Sequence, residues 1–224
     1  MGIWEMTVWQ LFRAGGPLMV PILLCSILAL GIILEKFYHL ARIKINTQNL
    51  KEEVFHLVKN NKIKEAIQLC ESYHSPVAKI IKGGLLKFGA SRDEIKEAME
   101  DISIFEIPKL EVRLPALATI AHVSPLLGLL GTVTGMTNSF HTIQVRASTL
   151  NPITPGDLAG GIWEALLTTV AGLMVAIPSY VAYNFFISRI NSIVHDMEHA
   201  ATELLNFLSH HMQAVPAQIL ENRL

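Results

Sequence analysis

Apolar residues dominate three long stretches of the chain, and the polar segments around them carry apolar positions at helical intervals. The stretches cover 17–38, 114–144 and 158–187. Each is at least as long as the roughly 20 residues a helix needs to cross a bilayer. In residues 39–113, Leu50, Val54, Leu57 and Val58, then Ile63, Ala66, Ile67 and Leu69, recur three and four apart. That spacing predicts amphipathic helices, with Asn60-Asn61 as the turn between them. Ser75-Pro76 and Gly83-Gly84 are further expected breaks. Ser91-x-x-Glu94 has capping-box spacing and predicts a helix from Arg92, which Pro108 and Pro115 should kink or bound.

The remaining segments are shorter. Residues 1–16 hold Trp4, Trp9, Leu11 and Phe12 and predict an interfacial amphipathic helix, broken by Gly15-Gly16-Pro17. The link 145–157 carries the turn signals Asn151-Pro152 and Pro155-Gly156. In 188–224, after Arg189, Ile190, Ile193, Val194, Met197, Leu204, Leu205 and Leu208 form the apolar face of a last helix. No strand alternation and no internal repeat occur. The expected fold is all-α: a polytopic membrane protein with three transmembrane helices and long helices extending into the cytoplasm.

Composition adds an orientation. The mean hydropathy is +0.40 and the formal charge is −1, yet the basic residues are unevenly spread. Only Arg13 precedes the first span and only Arg146 lies between the second and third, whereas fourteen Lys and Arg fall in 36–113. The positive-inside rule then places the polar domain and the tail in the cytoplasm, and the N-terminus and 145–157 link outside. Counting only Lys36, Arg42, Lys44, Lys109 and Arg113, close to the membrane, gives the same answer. No basic-aromatic interleaving points to nucleic acid. Cys25 lies in the first span and Cys70 in the polar domain, so the membrane separates them and a disulfide is not expected. The first span is longer than a signal-peptide core and no small-x-small site follows it, so it reads as a retained anchor.

Two spans carry polar chemistry. In the second, Gly128, Gly131 and Gly135 share one helix face and allow close helix approach, and Thr132 lies beside them. A lone hydroxyl in the bilayer either bonds back to its own helix or lines a polar path. In the third, Glu164 is an acidic residue set away from the polar flanks. A charge at bilayer depth costs about 2.5–3.5 kcal/mol on insertion scales, so Glu164 should face a partner or water. Thr168 and Thr169 follow one turn deeper, and Pro178 should bend the helix.

These residues sit in connected motifs. Gly-Leu-x-Gly-Thr-Val-x-Gly-x-x-Asn-Ser-Phe at 128–140 resembles the second-helix signature of the ExbB/TolQ/MotA proton-channel family, in its ExbB/TolQ branch. Glu-Ala-Leu-Leu-x-Thr at 164–169, Gly172-Leu173, Ala176-Ile177-Pro178 and Tyr183-Asn184 are similar to its third helix. The run from Arg113-Leu114 through Thr119-Ile120-Ala121 to Pro125 also fits, so the likeness is dense over 111–186. The resemblance implies a non-enzymatic subunit of an inner-membrane motor, needing no cofactor, in which a homo-oligomeric ring, a pentamer in the better-known members, encloses a central pore. It implies a single-span ExbD/TolR-like partner in that pore and a TonB/TolA-like protein beyond it. Thr132, Glu164 and Thr169 match the pore-facing polar positions, with Thr168 and His122 as further candidates. The proton-carrying aspartate would belong to the partner.

Other readings remain open. A MotA-like flagellar stator is one, although that branch has an additional helix pair and the single N-terminal span argues against it. His195-x-x-Glu198-His199 has the spacing of inverted zinc peptidases, which makes a membrane-anchored metalloenzyme the alternative outside the class. A solvated helix face is the plainer account of that pattern, and no metal site is expected. The tail histidines His210 and His211 read as structural or solvent-facing. A third alternative is a scaffold that conducts nothing.

Overall fold

The computed structural model describes residues 7–43, 47–73, 75–148, 152 and 154–221. Among them every regular element is a helix: α1 (Val8–Ala14), α2 (Met19–Ile43), α3 (Thr47–Lys59), α4 (Ile63–Ser72), α5 (Pro76–Leu86), α6 (Arg92–Glu111), α7 (Leu114–Ser148) and α8 (Pro155–Glu221). Three stretches, Met19–Ala41, Arg92–Ser148 and Leu158–Ser209, contain windows long and apolar enough to cross a membrane. Over the described residues the chain is an all-α membrane protein with three helices of membrane-crossing length and composition.

The helices form two compact units, one drawn from Met1–Lys36 and Arg113–Phe185, the other from Phe37–Val112 and Phe186–Leu224. In the first unit, apolar side chains point outward as well as inward. Leu24, Ile27 and Leu34 of α2, Leu126 and Leu129 of α7, and Met174 and Ile177 of α8 are all more than half exposed. In water such a surface would aggregate; in lipid it is the low-energy arrangement. Arg113, the residue before α7, adopts φ +68° and its guanidinium pairs with Glu35 of α2.

The second unit has the opposite pattern, a dry core under a charged surface. Leu50, Val54 and Val58 of α3, Ala66 and Cys70 of α4, Ile80, Ile81 and Leu85 of α5, Ile95 and Met99 of α6, and Met197, Leu204 and Leu208 of α8 are all buried together. Among the described residues, the charged groups buried in it are paired. Glu106, 8% exposed, receives Lys79 Nζ at 2.6 Å and Lys109 Nζ at 2.5 Å. Lys51 donates to Glu203 at 2.7 Å.

Local sequence signals set several boundaries. Ser91 caps α6, its Oγ accepting from the Glu94 N–H at 3.3 Å and donating to the Glu94 carboxylate at 3.1 Å. Asn61 makes the α3–α4 turn with φ 55°, and Pro76 opens α5. One expected break is corrected: Gly83 and Gly84 lie inside α5. They are buried because α6 and α8 press on them, and a β-carbon at Gly84 would stand 2.8 Å from Met99 Sδ and 2.9 Å from Leu204 Cδ2. The chain turns instead at Gly89, with φ +94°. The tail helix expected after Arg189 is the continuation of α8, since no breaking residue separates them.

Burial pushes the Cys70 thiol up from 9.0 to about 12, although the Lys82 charge pulls it the other way. The thiol therefore stays protonated, and this contribution to stability is complete below pH 9 and disappears as the pH climbs toward 12. Cys70 is expected to resist a thiol-alkylating reagent near neutral pH in the folded protein and to react once denatured. Mass spectrometry of labelled protein checks this; rapid labelling of the native state would mean the α4–α5 core opens readily.

Candidate functional site

Within the first unit α7 and α8 touch backbone to backbone along a line of small residues. A β-carbon at Gly128 would lie 3.0 Å from Thr168 O and 3.0 Å from Thr169 Cα. One at Gly135 would lie 2.7 Å from Gly161 O, and one at Gly172 would lie 2.5 Å from Ser124 O and 3.2 Å from Gly128 Cα. At Gly131 it would overlap the Thr168 side chain. In lipid no water is expelled when helices meet, so close approach and van der Waals contact hold this seam. The glycines of α7 thus face α8 of their own chain. Sequence reasoning did not single out the α8 half, Gly161, Ala165, Thr168 and Gly172, as a packing face. Its spacing of three and four residues is the same signal that marked α7.

The hydroxyls on these helices divide into three kinds. Thr132, half-buried, donates to Leu129 O of its own helix at 2.7 Å. Thr168 is 1% exposed; it donates to Ala165 O at 2.8 Å and fills the notch at Gly131. Thr169 crosses the seam, its Oγ1 donating to Gly128 O on α7 at 3.1 Å. Ser124 Oγ is buried in the same seam and has no partner, alone among the described buried side-chain polar atoms. Ser139, at the far end, donates to Gly135 O at 3.2 Å and to Leu158 O at 3.4 Å.

Glu164 is half-buried on α8 and lies against Gly16, in the turn between α1 and α2. His122 is exposed on α7; its Nδ1–H donates to Ala118 O at 2.7 Å, and its ring meets Tyr180 of α8 edge-on at 6.2 Å. The structure therefore gathers Thr168 and Thr169 with the α7 glycines and sets Glu164 one turn away toward Gly16. Thr132 and His122 lie off the seam.

In the second unit His195 and Glu198 stand exposed on α8, 3.5 Å apart, and His199 is 3.5 Å from Glu203. Among the described residues no three His, Cys, Asp or Glu side chains converge on a metal position. His210 and His211 lie outside the described side chains.

Apolar helices locked by glycine, with hydroxyls at the contact and a carboxyl one turn away, define a polytopic helical membrane protein with polar groups in its spans. Residues 72–199 match the model of the MotA/TolQ/ExbB proton channel family. The chain is 33% identical over 193 residues to a biopolymer transport protein ExbB homolog of Methanothermobacter thermautotrophicus, covering 86% of this chain and 67% of that protein. It is 35% identical over 173 residues to the biopolymer transport protein ExbB-like 3 of Synechocystis, covering 77% and 81%. To the Tol-Pal system protein TolQ of Haemophilus influenzae it is 42% identical over 110 residues, covering 49% and 45%. The chain belongs to the MotA/TolQ/ExbB proton channel family, in its ExbB/TolQ branch.

Proposed function

We propose that the chain is the pore-forming subunit of an inner-membrane proton-channel motor that uses the proton motive force to move a partner protein. The observation that carries this is the α7–α8 pair of a proton-channel-family chain: two apolar helices held at backbone contact, with Thr169 at the contact and Glu164 one turn away. Subunits form a homo-oligomeric ring, a pentamer, around the helices of an ExbD/TolR-like partner. The partner supplies the titrating carboxylate, and hydroxyls of this chain lend it successive hydrogen-bond partners. A potential of 100 mV supplies about 2.3 kcal/mol per proton, enough to bias a small helix displacement in each step. The output is mechanical work on the envelope, of the TonB-dependent or Tol-Pal type, through a TonB/TolA-like protein. The testing experiment is co-reconstitution with an ExbD/TolR-like partner in liposomes. Partner-dependent proton flux supports the reading, and a sealed bilayer with the assembled complex opposes it.

The proposed orientation puts the N-terminus and the 145–157 link in the periplasm and 39–113 and the C-terminus in the cytoplasm. Lys62 makes a convenient probe, since it is exposed and its pair with the exposed Glu65 spans one turn. A cysteine there is expected to be protected from a membrane-impermeant maleimide in intact cells and labelled after permeabilisation. Labelling in intact cells would reverse the orientation.

A further inference from the structure

Gly16 is the point at which the turn between α1 and α2 meets α8. Its φ is +70°, a conformation that side chains disfavour. A β-carbon there would also lie 2.8 Å from Glu164 Cδ and 3.4 Å from Glu164 Cγ, and would overlap Oε1. Glycine carries a hydrogen on that bond, and the hydrogen faces the carboxyl oxygen in the manner of a weak C–H···O contact. Backbone and side-chain requirements therefore coincide on one residue.

The turn is itself anchored on both sides. The Gly15 N–H donates to Leu11 O at 3.0 Å and closes α1, while the Met19 and Val20 N–H groups reach back to Gly16 O and Pro17 O at 3.2 Å. These short-range bonds tie Gly16 to the first turn of α2, a 25-residue helix whose dipole favours an anion at that end. A glutamate on an apolar helix has freedom to swing toward the headgroups, and the bare Gly16 backbone is what it rests on instead.

We propose that Gly16 is a positioning residue for Glu164. The α1–α2 turn is a seat that fixes the depth and direction of the carboxyl, so that α1 and the ion pathway move as one piece. This rests on the reading of Glu164 as an ion-pathway group.

The test separates the seat from the turn. Asparagine tolerates positive φ far better than alanine but carries a β-carbon, so Gly16→Asn relieves most of the backbone strain and keeps the collision with Glu164. Full-length Gly16→Asn and Gly16→Ala, each reconstituted with the partner, are both expected to lose about tenfold or more of the proton flux. The infrared carboxyl band of Glu164, assigned by its loss in Glu164→Gln, is expected to shift in both. Glu164→Asp withdraws the carboxyl by one methylene. Adding it to Gly16→Asn should restore flux or thermal stability above that of Gly16→Asn alone, and should restore assembly if the single variant fails to assemble. Wild-type flux and an unmoved band in Gly16→Asn, with loss only in Gly16→Ala, would overturn the seat and leave Gly16 as a turn residue. Strict additivity of the two substitutions would overturn it as well. If Glu164→Ala conducts normally, the ion-pathway reading fails; the band shift and the stability cycle still decide the seat.

Discussion

Thr169→Val is expected to lower partner-dependent proton flux by about tenfold or more while leaving insertion and assembly in place. Valine keeps the shape of threonine and removes only the hydroxyl. The lost hydrogen bond to Gly128 O spans two helices, and such bonds in membrane proteins average about 0.6 kcal/mol. Gly128 O also keeps the helical N–H of Thr132, so no carbonyl is orphaned. The fold therefore tolerates the change, and a large loss of flux reports on the hydroxyl as part of the polar path. Thr169→Ser should keep partial activity. Glu164→Ala should abolish flux, and Glu164→Gln separates a need for charge from a need for a hydrogen-bonding group. Wild-type flux in both Thr132→Val and Thr169→Val, measured in the same liposomes, would remove the assignment of a hydroxyl path.

Gly131→Leu has the largest expected structural effect. The new side chain would occupy the volume of Thr168, which is 1% exposed and tied to Ala165 O at 2.8 Å. Overpacking of a filled core costs about 1–3 kcal/mol where neighbours can yield, and more where the obstacle is a held side chain between two backbones. The α7–α8 pair should separate before any ring forms, so mass measurement in detergent should show loss of the oligomer together with loss of thermal stability. Gly31→Leu is the control. Gly31 is exposed on α2, and a β-carbon there meets nothing within 4 Å. That variant should assemble as wild type, and equal damage from both would mean the seam is not what holds the subunit.

The membrane-crossing helices were legible because their signal is long: apolar runs of bilayer length survive any local exception. The Ser91 cap was legible because both partners sit in one turn of sequence. Arg113 gave no such sign. Its left-handed backbone stands beside its pairing with Glu35, a residue far back in the chain, and nothing local in the sequence announces either. Gly83-Gly84 misled for a related reason. Glycine reads as a breaker when neighbours are ignored, but here α6 and α8 occupy the space that side chains would have filled. At the candidate site, residue types were readable from the motifs while their partners were not. The hydroxyl of Thr169 reaches 41 residues back along the chain to Gly128, and Glu164 meets Gly16 across an even longer separation.

The seam also limits how the protein can be repaired. A damaging enlargement in most cores finds a compensating reduction across the contact, because the opposing side chain can be trimmed. Where Gly128 meets the Thr168–Thr169 backbone, and where Gly172 meets Ser124 O and the Gly128 backbone, the opposing atoms are main chain and there is no side chain to give up. A genetic selection for suppressors of Gly128→Ala or Gly172→Ala should therefore return true revertants at the seam itself. Any second-site solution must come from a shift of a whole helix, which leaves these few positions with almost no evolutionary slack.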